Sequence, residues 1–320
     1  MTTPIVAIVG PTGVGKSDLA IQVALTLHGH GVSAEIINAD AMQLYAGMDI
    51  GTAKVPEAER HGIVHHLLDV WPVSQEASVA DYQTLARQAI SDCHSRGVVP
   101  LLVGGSGLYV SSVVYEFDFP GTDPEVRQAL EKRLQEEGVE ALVADLREQD
   151  PEAADAIDPR NSRRIVRALE VIQITGKPFG AGLHARSTLW REPVLVMGLQ
   201  RERSVLSRAL EQRVEKMWAS GLVAEVQKLV AGPEPLGVTA SQAIGYRQVM
   251  EYLAGSRTEA EAIAETVSLT KRYARRQMSW FRRDPQIVWR DVDQVTRDEL
   301  INDIVAWVGS APTAKKIVPR

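Results

Sequence analysis

The clearest chemistry in this chain lies in eight consecutive residues. Gly10-Pro11-Thr12-Gly13-Val14-Gly15-Lys16-Ser17 fit G-x-x-x-x-G-K-[ST] at every fixed position. Glycines let a backbone curl until several N–H groups point at one anion. A helix starting at the end of such a loop adds unsatisfied donors and the positive end of its dipole. Lys16 supplies a charge for an outer phosphate, and the Ser17 hydroxyl is a natural Mg²⁺ ligand. The loop alone does not choose between a nucleoside triphosphate and another diphosphate ester. Asp40, in Asn38-Ala39-Asp40-Ala41-Met42-Gln43, is the most interesting carboxylate. It fits a metal-binding aspartate at a strand end, a general base for an incoming nucleophile, or a loop cap. Ser106, in Gly104-Gly105-Ser106-Gly107, is either a phosphate contact or a turn serine. His61, His65 and His66 lack carboxylates at ligand spacing and read as core or surface histidines.

These residues need elements to hold them. Apolar Ile5 to Val9 reads as a buried strand, and Leu19, Ala20, Val23, Ala24 and Leu27 recur at helical spacing. Ala34 to Asn38 form a second strand, and Ile63 to Val70 a further strand or strand edge. Ser78-Val79-Ala80-Asp81 reads as a capping box for a helix with a Val79, Tyr82, Leu85, Ala86, Ala89, Ile90, Cys93 stripe, closed by Gly97. Val98 to Val103 is another strand. Strand and helix alternate, so a parallel sheet flanked by helices is expected. In open α/β sheets ligands sit beyond the carboxyl ends of the strands. The phosphate loop, the Asp40 loop and the Gly104–Gly107 loop all leave such ends, so they are expected to share one crevice.

The next strand is Pro193 to Leu199, and the gap before it is too long for one crossover helix. An inserted helical subdomain is expected over 120–191, between core segments 1–119 and 192–309, with a frayed tail at 310–320. The insert is acidic first (Glu131, Glu136, Glu137, Glu140). It turns basic at Arg160, Arg163, Arg164 and Arg167, on a helix with Ile165 and Leu169. After Leu199 helices return. Thr266 to Asp284 carries Lys271, Arg272, Arg275, Arg276, Arg282 and Arg283 among Tyr273, Trp280 and Phe281. That segment suits either a solvated face or a nucleic-acid backbone with unstacked bases.

With 320 residues, 45% hydrophobic, the chain can build one large domain or two smaller ones. A formal net charge of -6 argues against general polyanion binding, so any nucleic-acid contact must be local. A single cysteine, Cys93, leaves no internal disulfide and reads as a core residue. No basic leader or membrane-length apolar run precedes the first strand, so a cytoplasmic protein without membrane contact is expected.

At this depth the residues resemble a known family. Asn38 to Tyr45 with Gly47 to Lys54 is similar to the signature block of tRNA dimethylallyltransferases. His65 to Asp69, Gly104 to Tyr109, Arg164 to Val171, Gln242 to Tyr246 and Arg272 to Arg282 match further family blocks in order. The resemblance implies a P-loop NTPase-like fold and transfer of a dimethylallyl group from dimethylallyl diphosphate to N6 of the adenosine just 3′ of the tRNA anticodon. It implies that Gly10 to Ser17 hold the diphosphate with Mg²⁺, that Asp40 is the general base, and that Ser106 and Lys16 attend the leaving pyrophosphate. It places Asp40, Ala41, Met42 and Gln43, Arg163, Arg164, Ile165, Val166 and Arg167, and Gln242, Ala243, Ile244, Gly245, Tyr246 and Arg247 around the flipped-out base and its neighbours. Arg127 would touch the tRNA backbone, and the enzyme would act as a monomer. Two departures stand out: Ser106 replaces the usual Thr and keeps the hydroxyl, while Ala41 replaces the usual Ser and loses it. A P-loop small-molecule kinase and an adenylate-type prenyltransferase are rivals that share the same donor loop, and a non-enzymatic nucleotide-gated RNA-binding module is a third.

Overall fold

Five consecutive buried residues, Ile5–Val9, make a strand (β1) whose two faces are both covered. In the computed structural model, which describes residues 3–117, 119–179 and 188–311, β1 is central to a six-stranded sheet. The other strands are β2 (Ala34–Asn38), β3 (His65–His66), β4 (Val99–Gly104), β5 (Val194–Gln200) and β6 (Ile287–Asp291). All pair in parallel in the order β3-β2-β4-β1-β5-β6. Helix α1 (Lys16–Gly29) follows the phosphate loop, and α2 (Val79–Ser95) precedes β4. A short helix α3 (Gly107–Val114) follows the Gly104–Gly107 loop. The core over the sheet includes Val6, Ile8, Leu19, Val23, Leu27, Ile36, Leu101 and Val103.

Between Ile63 and Val70 only His65 and His66 pair as a strand, at the sheet edge. Leu67 and Asp69 adopt positive φ (60° and 58°), a conformation no extended strand tolerates. The Ser78 hydroxyl caps α2 by accepting from Asp81 N–H at 3.2 Å, which is one half of a capping box. The edge strand β6 was missed in the sequence, as were α3 and the helix Arg297–Ser310; its Ile-Val-Trp-Arg-Asp alternates weakly, although Asp284-Pro285 marks the break after the arginine-rich helix.

The chain divides into two compact units, Met1–Val114 with Arg191–Arg320, and Tyr115–Trp190. The second unit holds α4 (Pro124–Glu137), α5 (Val139–Gln149), α6 (Pro151–Ala156) and α7 (Ser162–Thr175). Asp123, Asp150 and Asn161 cap α4, α6 and α7 through side-chain oxygens, and Gly176 closes α7 in the left-handed conformation. Its own core joins Leu130, Leu142, Leu146, Ile165, Val166 and Leu169. In the first unit β5 leads into α8 (Arg203–Ala219), α9 (Leu222–Val230), α10 (Val238–Ser241), α11 (Tyr246–Leu253) and the long α12 (Glu259–Phe281); α13 (Arg297–Ser310) follows β6. The tail expected from residue 310 lies, from 312 onward, outside the described residues. No helix among the described residues is long and apolar enough to cross a membrane.

Candidate active site

Strands β2, β4 and β1 are neighbours and run in parallel, so the three chemistry-bearing loops leave the same edge of the sheet. Each is fixed by a close approach. Gly10 has φ +141°, and a Cβ there would stand 2.5 Å from the Leu199 carbonyl oxygen at the end of β5. A Cβ on Gly104 would lie 2.1 Å from the Ala39 oxygen, so β4 and the Asp40 turn pass with no room for a side chain. A Cβ on Gly107 would meet the Trp280 indole at 2.2 Å.

In the phosphate loop Gly13 and Gly15 take positive φ, and α1 begins directly behind. Lys16 Nζ donates back across the loop to the Pro11 oxygen at 2.8 Å. Burial is the main force on this ammonium, and Arg213 adds repulsion; Asp40 opposes both, and the pKa comes down to about 8. The Ser17 hydroxyl has no hydrogen-bond partner among the described residues. Val14 is buried in the core, so it contributes backbone alone. The Thr12 N–H is already taken by Gln277 Oε1 at 2.8 Å, while Gln277 Nε2 donates to the Gly105 oxygen at 2.9 Å. One buried amide on α12 therefore ties two of the three loops together.

The Asp40 turn is held by Asn38. Its Oδ1 accepts from Asp40 N–H at 2.9 Å, and its Nδ2 donates to the oxygens of Asp40 and Leu67. The Tyr82 hydroxyl donates to the Asn38 carbonyl. Asp40 Oδ1 accepts from Met42 N–H at 3.0 Å, which caps a single 3₁₀ turn, Ala41–Leu44. The carboxylate is thus a loop cap, and it is half-buried. Burial raises its pKa; the Met42 N–H, Lys16 and Arg213 pull the other way. Ser106 Oγ accepts from Ala41 N–H at 3.2 Å and stands 3.5 Å from the Tyr273 hydroxyl. Ser106 therefore braces the backbone next to Asp40; it does not itself line the cleft, but it adjoins Ala41 and Tyr273, which do.

In front of these groups opens a cleft of about 280 Å³. Thr12, Asp40, Ala41 and Met42 form one side. Arg213, Tyr273 and Arg276 line it from α8 and α12, and Gln242, Ala243, Ile244, Gly245 and Tyr246 from the turn into α11. Arg213 was not singled out in the sequence, where it is one of many charges on a helix. It is half-buried, has no ion pair among the described residues, and acts electrostatically on both Lys16 and Asp40. Gln43 does not line the cleft; its amide donates to the Thr52 oxygen at 3.1 Å. Arg247 is exposed and bound to Glu251 and Gln242. Trp280 and Phe281 serve packing: Phe281 is buried, and the Trp280 N–H donates to Ser111 Oγ at 3.3 Å. Of the aromatics interleaved with arginine, only Tyr273 reaches the cleft, with Arg276 5.8 Å from its ring centre. Away from the cleft, His66 Nε2 lies 2.7 Å from a Glu35 carboxylate that spacing could not reveal. Arg96 forks onto the same carboxylate, and the buried Cys93 adjoins it.

A family model described as IPP transferase matches residues 43–284. A tRNA dimethylallyltransferase of Thermobifida fusca is 57% identical over 289 residues, 90% of each chain. The chain belongs to the tRNA dimethylallyltransferase family. A relative of the same name in Salinispora arenicola is 54% identical over 90% of this chain and 82% of its own. Among solved structures, a full-length tRNA isopentenylpyrophosphate transferase of Bacillus halodurans matches with TM-score 0.68 at 39% identity, covering 96% of both chains. A eukaryotic dimethylallyltransferase solved acting on tRNA matches with TM-score 0.81 at 25% identity, over 99% of this chain and 82% of that one.

The remaining residues that the family pattern marks lie in the second unit. Arg163 and Arg164 are exposed on α7 without a carboxylate partner among the described residues. Ile165 and Val166 point into that unit's core. Arg167 donates to Glu170 and to the oxygens of Pro120 and Gly121. Arg127 pairs with Glu131 and lies 3.7 Å from the same fully buried Glu170.

Proposed function

We propose that this member of the family transfers the dimethylallyl group of dimethylallyl diphosphate to N6 of the adenosine immediately 3′ of the anticodon in tRNA. The observation that carries the residue roles is that Asp40 and Arg213 line one cleft, together with Thr12 of the phosphate loop, and that Lys16 of the same loop interacts electrostatically with both. The N6–C1 bond forms as the C1–O bond breaks, pyrophosphate departs, and the N6 proton passes to the Asp40 carboxylate. An exocyclic amine is a weak nucleophile, and a carboxylate placed to take its proton is worth roughly 10²–10⁴ in rate. The phosphate loop, Lys16 and Arg213 bind the diphosphate and stabilise the charge that develops on it, with the Ser106 hydroxyl beside them. An unpartnered hydroxyl at the first turn of α1 fits Mg²⁺, which takes hard oxygen ligands and keeps waters and substrate phosphates as the rest of its shell. Ser17 would hold that ion, whose chemistry is to offset phosphate charge.

Adenine would enter between Asp40 and the Gln242–Tyr246 turn. Extruding a base from an anticodon loop costs little, because it is only partly stacked there. The helical insert would grip the anticodon stem, with Arg127, Arg163, Arg164 and Arg167 toward the backbone; with Ile165 and Val166 buried, that stretch of α7 offers only its polar face. The enzyme would act as a cytoplasmic monomer.

Labelled ATP, dimethylallyl diphosphate, unmodified tRNA and free AMP offered together test this reading. Prenyl transfer to tRNA without ATP consumption is expected. Transfer of the γ-phosphate would assign a kinase, and prenylation of AMP in preference to tRNA an adenylate prenyltransferase.

A further inference from the structure

The Gly47–Lys54 loop, through Gly51 and Thr52, and the Gln242–Tyr246 turn form adjoining parts of the cleft, yet neither belongs to the sheet. One carboxylate joins them. Glu225, on α9, accepts three consecutive backbone N–H groups, with Oε2 taking Asp49 (3.1 Å) and Ile50 (2.7 Å) and Oε1 taking Gly51 (3.2 Å). The same Oε1 accepts the Tyr246 hydroxyl at 2.6 Å. Three successive amides converging on one anion form a nest, and hydrogen bonds to a charged acceptor are about twice as strong as neutral ones. The loop then lies flat on the tyrosine: a Cβ on Gly51 would stand 2.4 Å from Tyr246 Cε2. The held segment is the part of the loop that reaches the cleft, since Gly51 and Thr52 line it and Thr52 receives the Gln43 amide. The far end of the loop is anchored separately, by Lys54 on Asp49, Asp69 and the Tyr45 oxygen.

We propose that Glu225 is a positioning residue for the nucleic-acid acceptor: it fixes the Gly51 segment against the Gln242–Tyr246 turn, the wall that receives the base opposite Asp40, and takes no part in holding the diphosphate. This rests on the reading of the cleft as the acceptor site. Glu225 has no contact with the phosphate loop in the hydrogen bonds above, so its loss should separate the two substrates.

The experiment is steady-state prenyl transfer by the full-length wild type, Glu225→Gln and Tyr246→Phe, with each substrate varied in turn and thermal midpoints recorded. Glu225→Gln keeps the shape and loses the charge. It is expected to raise KM for tRNA at least about tenfold, the scale of a lost charge-assisted hydrogen bond, and to leave KM for dimethylallyl diphosphate unchanged. Tyr246→Phe removes a single hydroxyl and is expected to move KM for tRNA in the same direction by less, which keeps the question open to test should Glu225→Gln fold poorly. An unchanged KM for tRNA in both variants, or a parallel rise in both KM values with a fallen midpoint, would overturn the positioning role. A wild type that prenylates no tRNA would instead remove the activity itself, and this role with it.

Discussion

Two neighbouring ionisable groups, Asp40 in the cleft and Lys16 in the phosphate loop, are displaced from their ordinary values in opposite directions by one cause. Burial raises Asp40 and lowers Lys16, and each partly restrains the other. A base must be unprotonated and a diphosphate ligand must be charged. The profile of kcat/KM against pH is therefore expected to be bell-shaped. Activity falls on the acid side as pH drops through an Asp40 value above the ordinary 3.8, and on the alkaline side as pH passes about 8 and Lys16 loses its proton. Replacing Asp40 by Asn should abolish the acid limb along with most of the rate, which a pH series on the residual activity would show. Ser106 makes a narrower prediction. Its hydroxyl accepts the Ala41 N–H, so Ser106→Ala unpairs a backbone donor beside Asp40 and should lower kcat more than it raises KM for tRNA. Ser106→Thr, which restores a hydroxyl with a stiffer rotamer, should retain most of the rate.

At the level of elements, the site depends on backbone approaches that exclude side chains. Gly104→Ala would drive a Cβ to 2.1 Å from a backbone oxygen that belongs to the Asp40 turn, and neither chain can yield cheaply. An overpacking cost of about 1–3 kcal/mol is expected from denaturant unfolding, together with a loss of turnover, because the clash displaces Asp40 itself. The strands and loops on which this rests were legible in the sequence: Ile5–Val9, Ala34–Asn38 and Val99–Gly104 are apolar runs ending in glycine or Asn-Ala-Asp. Parallel alternation alone implied that their loops share an edge. The rest came from the far half of the chain. Arg213, Glu225 and Gln277 sit on helices whose charges and amides look solvent-facing at helical spacing. Only tertiary packing, across 174 residues between Glu225 and Gly51 and 265 between Gln277 and Thr12, turns them toward the site. The edge strand β6 was hidden for a related reason, since a short strand beside a basic helix carries no periodicity of its own.

For the molecule as a whole, a net charge of -6 coexists with arginines that have no ion-pair partner among the described residues, in separate places. Arg163 and Arg164 are exposed on α7, and Arg272 and Arg275 on α12. Arg127 and Arg167 are not free in the same sense, since both lean on the buried Glu170. Affinity for tRNA is expected to fall steeply with salt, as Arg–phosphate contacts release counterions. Arg163→Gln with Arg164→Gln should flatten that salt slope by about 1 for each arginine, read from binding titrations at several salt concentrations. Arg127→Gln should instead lower the thermal midpoint modestly, because it removes one of the two arginines that offset the buried Glu170 and leaves Arg167 as the other. What unites the scales is the arrangement proposed above, a diphosphate held at Lys16 beside an adenine amine at Asp40. The most direct measurement is single-turnover prenyl transfer to unmodified tRNA by the wild type and Asp40→Asn, with tRNA affinity determined alongside. A rate at least about a hundredfold lower in the variant, with tRNA affinity preserved, is the predicted result; undiminished transfer by Asp40→Asn would contradict it.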